Sequence, residues 1–136
     1  MNRKTLVSRV VTIAALACGV LGVVAAFGAT PITGPSKGDP ARGRKVFAAK
    51  KCEACHKADG RGGFKLTGNP TPDWRDSTRM ADPKHNDDYL RDCITNGKTK
   101  SGMVAWSKQG VKPAEIEDLI AYIHTFSAKK PAADKK

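Results

Sequence analysis

Cys52-Glu53-Ala54-Cys55-His56 is the stretch of this 136-residue chain on which the rest of the reading depends. Two thiols three positions apart lie on one turn of a helix. There they can add to the two vinyl groups of a porphyrin as thioethers, and the imidazole of the next residue then reaches the iron from below the ring. Any other spacing would carry the sulfurs off the vinyls or the imidazole off the iron. With 4 Cys and 3 His in the chain, roughly 0.002 matches to this pattern are expected by chance. The expectation is one covalent haem c, held by Cys52 and Cys55, with His56 on the iron.

Two rival uses of a Cys-x-x-Cys pair fit less well. A thioredoxin-like redox pair belongs at a strand-to-helix junction of an α/β domain, and here the pair follows a helix and precedes a loop. A structural zinc site needs four ligands. Cys52, Cys55, His56 and Cys93 could supply them, but adjacent Cys55 and His56 would chelate awkwardly and Cys93 stands alone. Its place on the apolar side of a helix reads as a small buried hydrophobe.

A haem on His56 has a second axial face, for which Met80, Met103, His85 and His124 are the candidates. His124 reads as a helix-flank residue and His85 as an exposed helix start. Met80 can be a core filler, the usual task of a methionine. Met103 is preferred, because it lies on a loop after Gly97 and Gly102 and is free to bend over the ring. A thioether there favours ferrous iron, and filling both axial positions suits electron transfer over oxygen chemistry.

Outward from the motif, the pattern is helical. Asp39 is a good N-cap and Pro40 suits the first helical position, opening a helix that carries Val46 and Phe47. Lys57 to Pro83 reads mostly as loop, and a loop of that length inside a small domain needs something to wrap. Asn86, Asp87 and Asp88 open a second helix with Leu90 and Ile94 on one face, closed by Gly97. A third begins at Pro113, where Ile116, Leu119, Ile120 and Ile123 have the spacing of one buried stripe. Glu115, Glu117 and Asp118 load its first turn. No strand and no internal repeat is expected. The fold class is therefore all-α: three main helices and long loops around one haem c.

The front of the chain differs. Arg3, Lys4 and Arg9 precede Val10 to Ala29, a stretch without a charge. It reads either as a secretory signal cleaved near Ala26 or Gly28, or as a retained N-terminal apolar helix anchoring the chain in the membrane through residues 10–29. Both readings export the remainder to a periplasmic or extracytoplasmic space. The expected organisation is 1–29 signal or anchor, 30–38 linker, 39–128 haem domain and 129–136 basic flexible tail.

Three of the 24 basic residues precede Val10 and all 13 acidic ones follow Thr30, so the exported part keeps an excess of eight basic residues. Export disfavours nucleic acid as the partner. Lys45, Lys50, Lys51, Lys57, Arg61 and Lys65 cluster around the Cys pair, which suggests docking to redox proteins with acidic surfaces.

Taken together, these residues resemble the class I cytochromes c, the small single-haem bacterial kind, over about residues 39–127. Gly43 and Phe47 on the first helix, the Cys52 to His56 motif, Pro72-Asp73-Trp74, Tyr89-Leu90 to Gly97, Met103-Val104-Ala105-Trp106 and Leu119, Tyr122 and Ile123 carry the resemblance. It implies that the first and last helices cross near Gly43, with Phe47 and Tyr122 at the contact. It also implies His56 and Met103 as axial ligands, and Pro72 as the residue whose carbonyl accepts from the His56 imidazole. Val104 stands where the family often has proline, and Pro70 competes with Pro72. The implied activity is single-electron transfer between exported or membrane-bound redox partners, with no catalysis of its own. Membership of a periplasmic dehydrogenase or oxidase complex is the alternative.

Overall fold

In the computed structural model, residues 34–128 are described. The apolar stretch of residues 10–29 and the basic tail of residues 129–136 lie outside them. Helix α1 spans Pro40–Ala49. Its start is set by Asp39, whose carboxylate accepts from the N–H groups of Ala41 (2.7 Å) and Arg42 (3.2 Å), with Pro40 at the first turn. The short helix α2, Glu53–His56, carries the attachment motif. Helix α3 spans Ser77–Ala81, α4 Asp87–Asn96 and α5 Pro113–Ala128. Single 3₁₀ turns at Pro83–His85, Thr99–Ser101 and Trp106–Gln109 connect them. Among the described residues there is no strand, only an isolated bridge between Lys98 and Met103, and no helix is long and apolar enough to cross a membrane.

Helices α1, α4 and α5 begin where the sequence places them. Asn86 caps α4 by accepting from the Tyr89 N–H (3.0 Å), and Gly97, at φ +76°, ends it. The expected loop from Lys57 to Pro83 is interrupted by α3. Asp76 caps that helix by accepting from the Thr78 and Arg79 N–H groups, an N-cap signal that the glycines and prolines around it outweighed.

The core forms where α1 crosses α5. Phe47, Leu90, Ile94, Val111, Ile116, Leu119, Ile120, Ile123 and Phe126 are all buried, so the expected α5 stripe faces inward. Gly43 lets the helices touch. A Cβ there would stand 1.9 Å from the Asp118 carbonyl oxygen and 2.9 Å from Tyr122 Cβ. One helical turn on, the Phe47 ring meets Tyr122 edge-on at 5.4 Å. The crossing implied by the resemblance is present.

Of the acidic residues expected to load the first turn of α5, only Glu115 lies there; Glu117 and Asp118 are buried and paired. Glu117 takes Arg91 (2.6 and 3.0 Å), while Asp118 takes Arg42 (2.8 and 2.9 Å) and the Asp39 N–H (2.7 Å). The same region holds down the chain before α1. Gly34 N–H donates to Asp88 (2.9 Å), Ser36 N–H to Asp87 (2.6 Å) and Ser36 Oγ to the Glu117 carbonyl (2.8 Å). The described part of the expected linker is thus strapped along α4 and α5. A Pro, Gly and Ser composition marks absence of regular structure, not absence of contacts.

Candidate functional site

The polypeptide between α1 and α3 shapes the floor of the site. Cys52 begins α2, and the His56 N–H donates to the Cys52 carbonyl (2.9 Å), which puts both thiols and the imidazole on one tight turn. Lys51 (φ +55°) and Lys57 (φ +65°) flank that turn in the left-handed region that side-chain-bearing residues avoid. The strain is tolerated because the following loop is tied to the turn. Thr71 Oγ1 donates to the Cys55 carbonyl (3.0 Å) and accepts from the Phe64 N–H (3.0 Å), while Gly62 N–H donates to the His56 carbonyl (3.1 Å).

These residues open onto a cavity of about 560 Å³, within the range of roughly 300–1,000 Å³ typical of small-molecule sites. Cys52, Cys55 and His56 line it together with Phe47, Leu90, Ile94, Leu119 and Ile123, the inner faces of α1, α4 and α5. The wall is largely apolar, as a porphyrin plane requires. The three cysteines of the described residues are free thiols. Burial pushes the Cys52 thiol up to about 11, so its nucleophilic thiolate is scarce at neutral pH.

His56 stacks on Trp74, with ring centroids 4.1 Å apart and planes 10° off parallel. Burial lowers its pKa to about 4, so the imidazole is neutral at neutral pH, the state in which it can ligate a metal. Its Nδ1 is buried and has no hydrogen-bond partner among the described residues. The Pro72 carbonyl oxygen lies against Gly62, where a Cβ would meet it at 2.1 Å. Pro72 lines the cavity beside His56, but no hydrogen bond joins the two.

Met80 and Met103 both line the cavity and pack against the core, so the structure brings both thioether candidates to the site. Met80 sits within α3, its N–H donating to the Asp76 carbonyl (3.0 Å), and Met103 is held by a backbone bridge. The Met103 N–H donates to the Lys98 carbonyl (3.1 Å) and its carbonyl accepts from the Lys98 N–H (2.9 Å). Gly97 packs directly under this bridge, 2.6 Å from the Met103 oxygen to a would-be Cβ.

The histidines divide. His124 stays on the flank of α5, where its Nε2 lies 2.5 Å from an Asp87 oxygen, and takes no part in the site. His85 is not the exposed residue that its place beside Pro83 and Lys84 suggested. Its side chain is only 22 % exposed, it lines the cavity, and its Nδ1 is buried 3.7 Å from Asp82, too far for a hydrogen bond. Cys93 is buried as expected, and it also reaches the cavity wall beside Tyr89. Trp74 and Thr71 are the site residues that sequence reasoning missed, while His85 was weighed as a distal candidate and set aside as exposed. Trp74 stood in a quoted motif with no role attached to it. Thr71 gave no periodic or spacing signal at all.

Among the described residues no three His, Cys, Asp or Glu side chains gather as a metal site, which removes the Cys3His zinc arrangement. The paired thiols, the neutral buried imidazole with an unpaired nitrogen, and an apolar cavity of ring-binding size fit a haem c. They define a c-type cytochrome domain. Residues 38–123 match the family described as "Cytochrome C oxidase, cbb3-type, subunit III". That match covers more than half of the chain, and the chain belongs to this family. No curated protein and no solved structure matches it. The domain therefore carries covalently bound haem c with its iron and serves haem-based electron transfer. The bound group supplies a one-electron iron couple; the chain's own part is to anchor, orient and dry it.

Proposed function

We propose that this protein carries single electrons outside the cytoplasmic membrane, between exported or membrane-bound redox partners. Cys52 and Cys55 hold the haem, His56 and Met103 are its axial ligands, and the Pro72 carbonyl accepts from His56 Nδ1. The observation that carries this reading is the shared cavity of His56 and Met103, in which both axial positions can be filled by protein atoms. The buried, unpaired Nδ1 of His56 supports the role of Pro72, since a donor left unsatisfied there costs free energy that an accepting carbonyl would recover. Residues 1–29 would deliver the domain as a cleaved signal or hold it as an anchor. The strapping of residues 34–39 shortens any tether to the chain before Gly34.

Docking would use the basic surface around the attachment turn. Of the cations clustered there, Lys50 is engaged with the Gln109 carbonyl (3.1 Å) and Arg61 with Asp59 (3.0 Å). Lys45, Lys51, Lys57 and Lys65 remain exposed and available to an acidic partner. Such steering raises encounter rates and is screened by salt. Stopped-flow electron exchange with its donor should slow steeply as ionic strength rises; a rate indifferent to salt would remove the steering.

The family match favours a second reading, in which the domain is the haem subunit of an oxidase complex and not a free carrier. Affinity isolation of the full chain from detergent-solubilised membranes separates the two. A carrier emerges alone, whereas a subunit brings a catalytic chain in fixed ratio.

A further inference from the structure

Among the described residues two buried side-chain polar atoms lack a hydrogen-bond partner, His56 Nδ1 and His85 Nδ1, and both rings line the same cavity. Such an orphaned atom costs about 1–3 kcal/mol and calls for a reason. Ligation gives His56 its reason. His85 has none so far.

The two rings stand on different walls. His56 stacks on Trp74, which in turn faces Phe126 at 6.0 Å. His85 meets Tyr89 of α4 edge-on, with centroids 5.2 Å apart and planes at 85°. The Lys98 ammonium lies over that same Tyr89 ring at 4.9 Å, and the Lys98 backbone is bridged to Met103. This short chain of contacts puts His85 on the wall that carries Met103, not on the one that carries His56.

The turn that holds His85 also prepares its ring. Asp82 caps Pro83–His85, its Oδ1 accepting from the Lys84 N–H (2.9 Å) and its carbonyl from the His85 N–H (2.8 Å). The other carboxylate oxygen faces His85 Nδ1 at 3.7 Å, a small rotation away from a hydrogen bond. A carboxylate on one ring nitrogen is the usual companion of a metal-binding imidazole. It favours the proton on Nδ1, leaves the Nε2 lone pair free and raises its basicity. Met103, for its part, lies outside the helices and is followed by exposed Val104, so its loop can withdraw without parting α1 from α5.

We infer that His85 is a second distal ligand, which takes the oxidised iron as Met103 withdraws and yields it to Met103 on reduction. The soft thioether favours ferrous iron, whereas imidazole suits the ferric state and lowers the potential. When an electron leaves for the acceptor, one iron–sulfur bond breaks and one bond from iron to Nε2 forms. The imidazole keeps its Nδ1 proton, so no proton is exchanged. The inference rests on the proposed haem and its Met103 ligand.

The test uses the full haem-loaded chain at neutral pH, read by electron paramagnetic resonance and by the near-infrared sulfur-to-iron band. Ferric Met103→Ala should lose the band yet stay low-spin, with the signal of two imidazole ligands. Adding His85→Asn should convert most of that signal to high-spin. With Met103 intact, gentle warming of the ferric protein should bleach the band while the iron stays low-spin. In His85→Asn the same bleaching should bring high-spin iron, a comparison that decides the matter if the double variant does not fold. A high-spin Met103→Ala protein would overturn the inference. So would a low-spin signal that survives loss of His85, which marks His124, Lys98 or Cys93 as the ligand, or a band retained in Met103→Ala, which marks Met80. A colourless chain would overturn the haem reading itself and this inference with it, so the two failures are told apart.

Discussion

His56 and Met103 are proposed for the same iron but are held in different ways. His56 is held by the tight backbone turn that starts at Cys52 and by the Trp74 face stacked on it. Met103 owes its place to a two-bond bridge with Lys98 between two glycine-dependent bends. Met80 and His85 line the same cavity, so the assignment invites a direct comparison. Met103→Ala should abolish the weak near-infrared sulfur-to-iron band of the ferric protein and lower its potential, while Met80→Ala should preserve the band. The reverse result would transfer the ligand role to Met80. At this scale the Cys52 to His56 motif was legible because the chemistry proposed for it imposes a spacing. The surroundings of His85 were not, since whether a residue beside a proline is exposed depends on what packs over it.

Helix α5 organises the domain through its contacts with α1, α4 and the strap. Gly43→Ala should destabilise the protein by about 3 kcal/mol, at or beyond the upper end of overpacking costs, because the added methyl meets backbone that cannot turn aside. Thermal or urea unfolding of the haem-loaded protein measures it, and a change within error would mean that α1 and α5 can part without penalty. Asp118 is the polar counterpart. Hydrogen bonds from Arg42 hold its carboxyl below the ordinary carboxylate value, against the opposing effect of burial. A depressed folded-state value stabilises the fold above the unfolded value of about 3.9, and that stability is lost as pH falls through the folded value. Asp118→Asn should therefore lower stability at neutral pH, with the gap to the parent closing as pH drops below about 4. A gap that stays constant across that range would show that the charge is not what matters. The start of α5 and its apolar stripe followed from local pattern alone. The pairing of Asp118 with Arg42 and of Glu117 with Arg91 did not, because these partners come from helices far away in sequence.

For the molecule as a whole, the cavity and the core are one structure. Phe47, Leu90, Ile94, Leu119 and Ile123 belong to both. Left without a ligand, this space would expose those core side chains to water, in a domain whose whole stability is only about 5–15 kcal/mol. A Cys52→Ser, Cys55→Ser chain made without haem should keep part of its helical far-ultraviolet signal. It should lose near-ultraviolet ellipticity and cooperative melting, the signature of a collapsed chain without fixed packing. A sharp transition close to that of the haem-loaded protein would show that the polypeptide closes the cavity by itself.

The sequence by itself determined what local chemistry and periodicity can encode: the Cys52 to His56 motif, the starts of α1, α4 and α5, the stripe that faces the core, and the excess of positive charge. Each of these is set within a few residues, by a bond spacing, a capping side chain or a 3.6-residue repeat. Only the tertiary structure decided that residues 34–39 are strapped down, that His56 rests on Trp74, that Thr71 ties the loop to Cys55, and that His85 and Arg79 face the cavity. Those are contacts between segments distant in the chain, fixed by the packing of α1 on α5 and by the exclusion of water from the space between them.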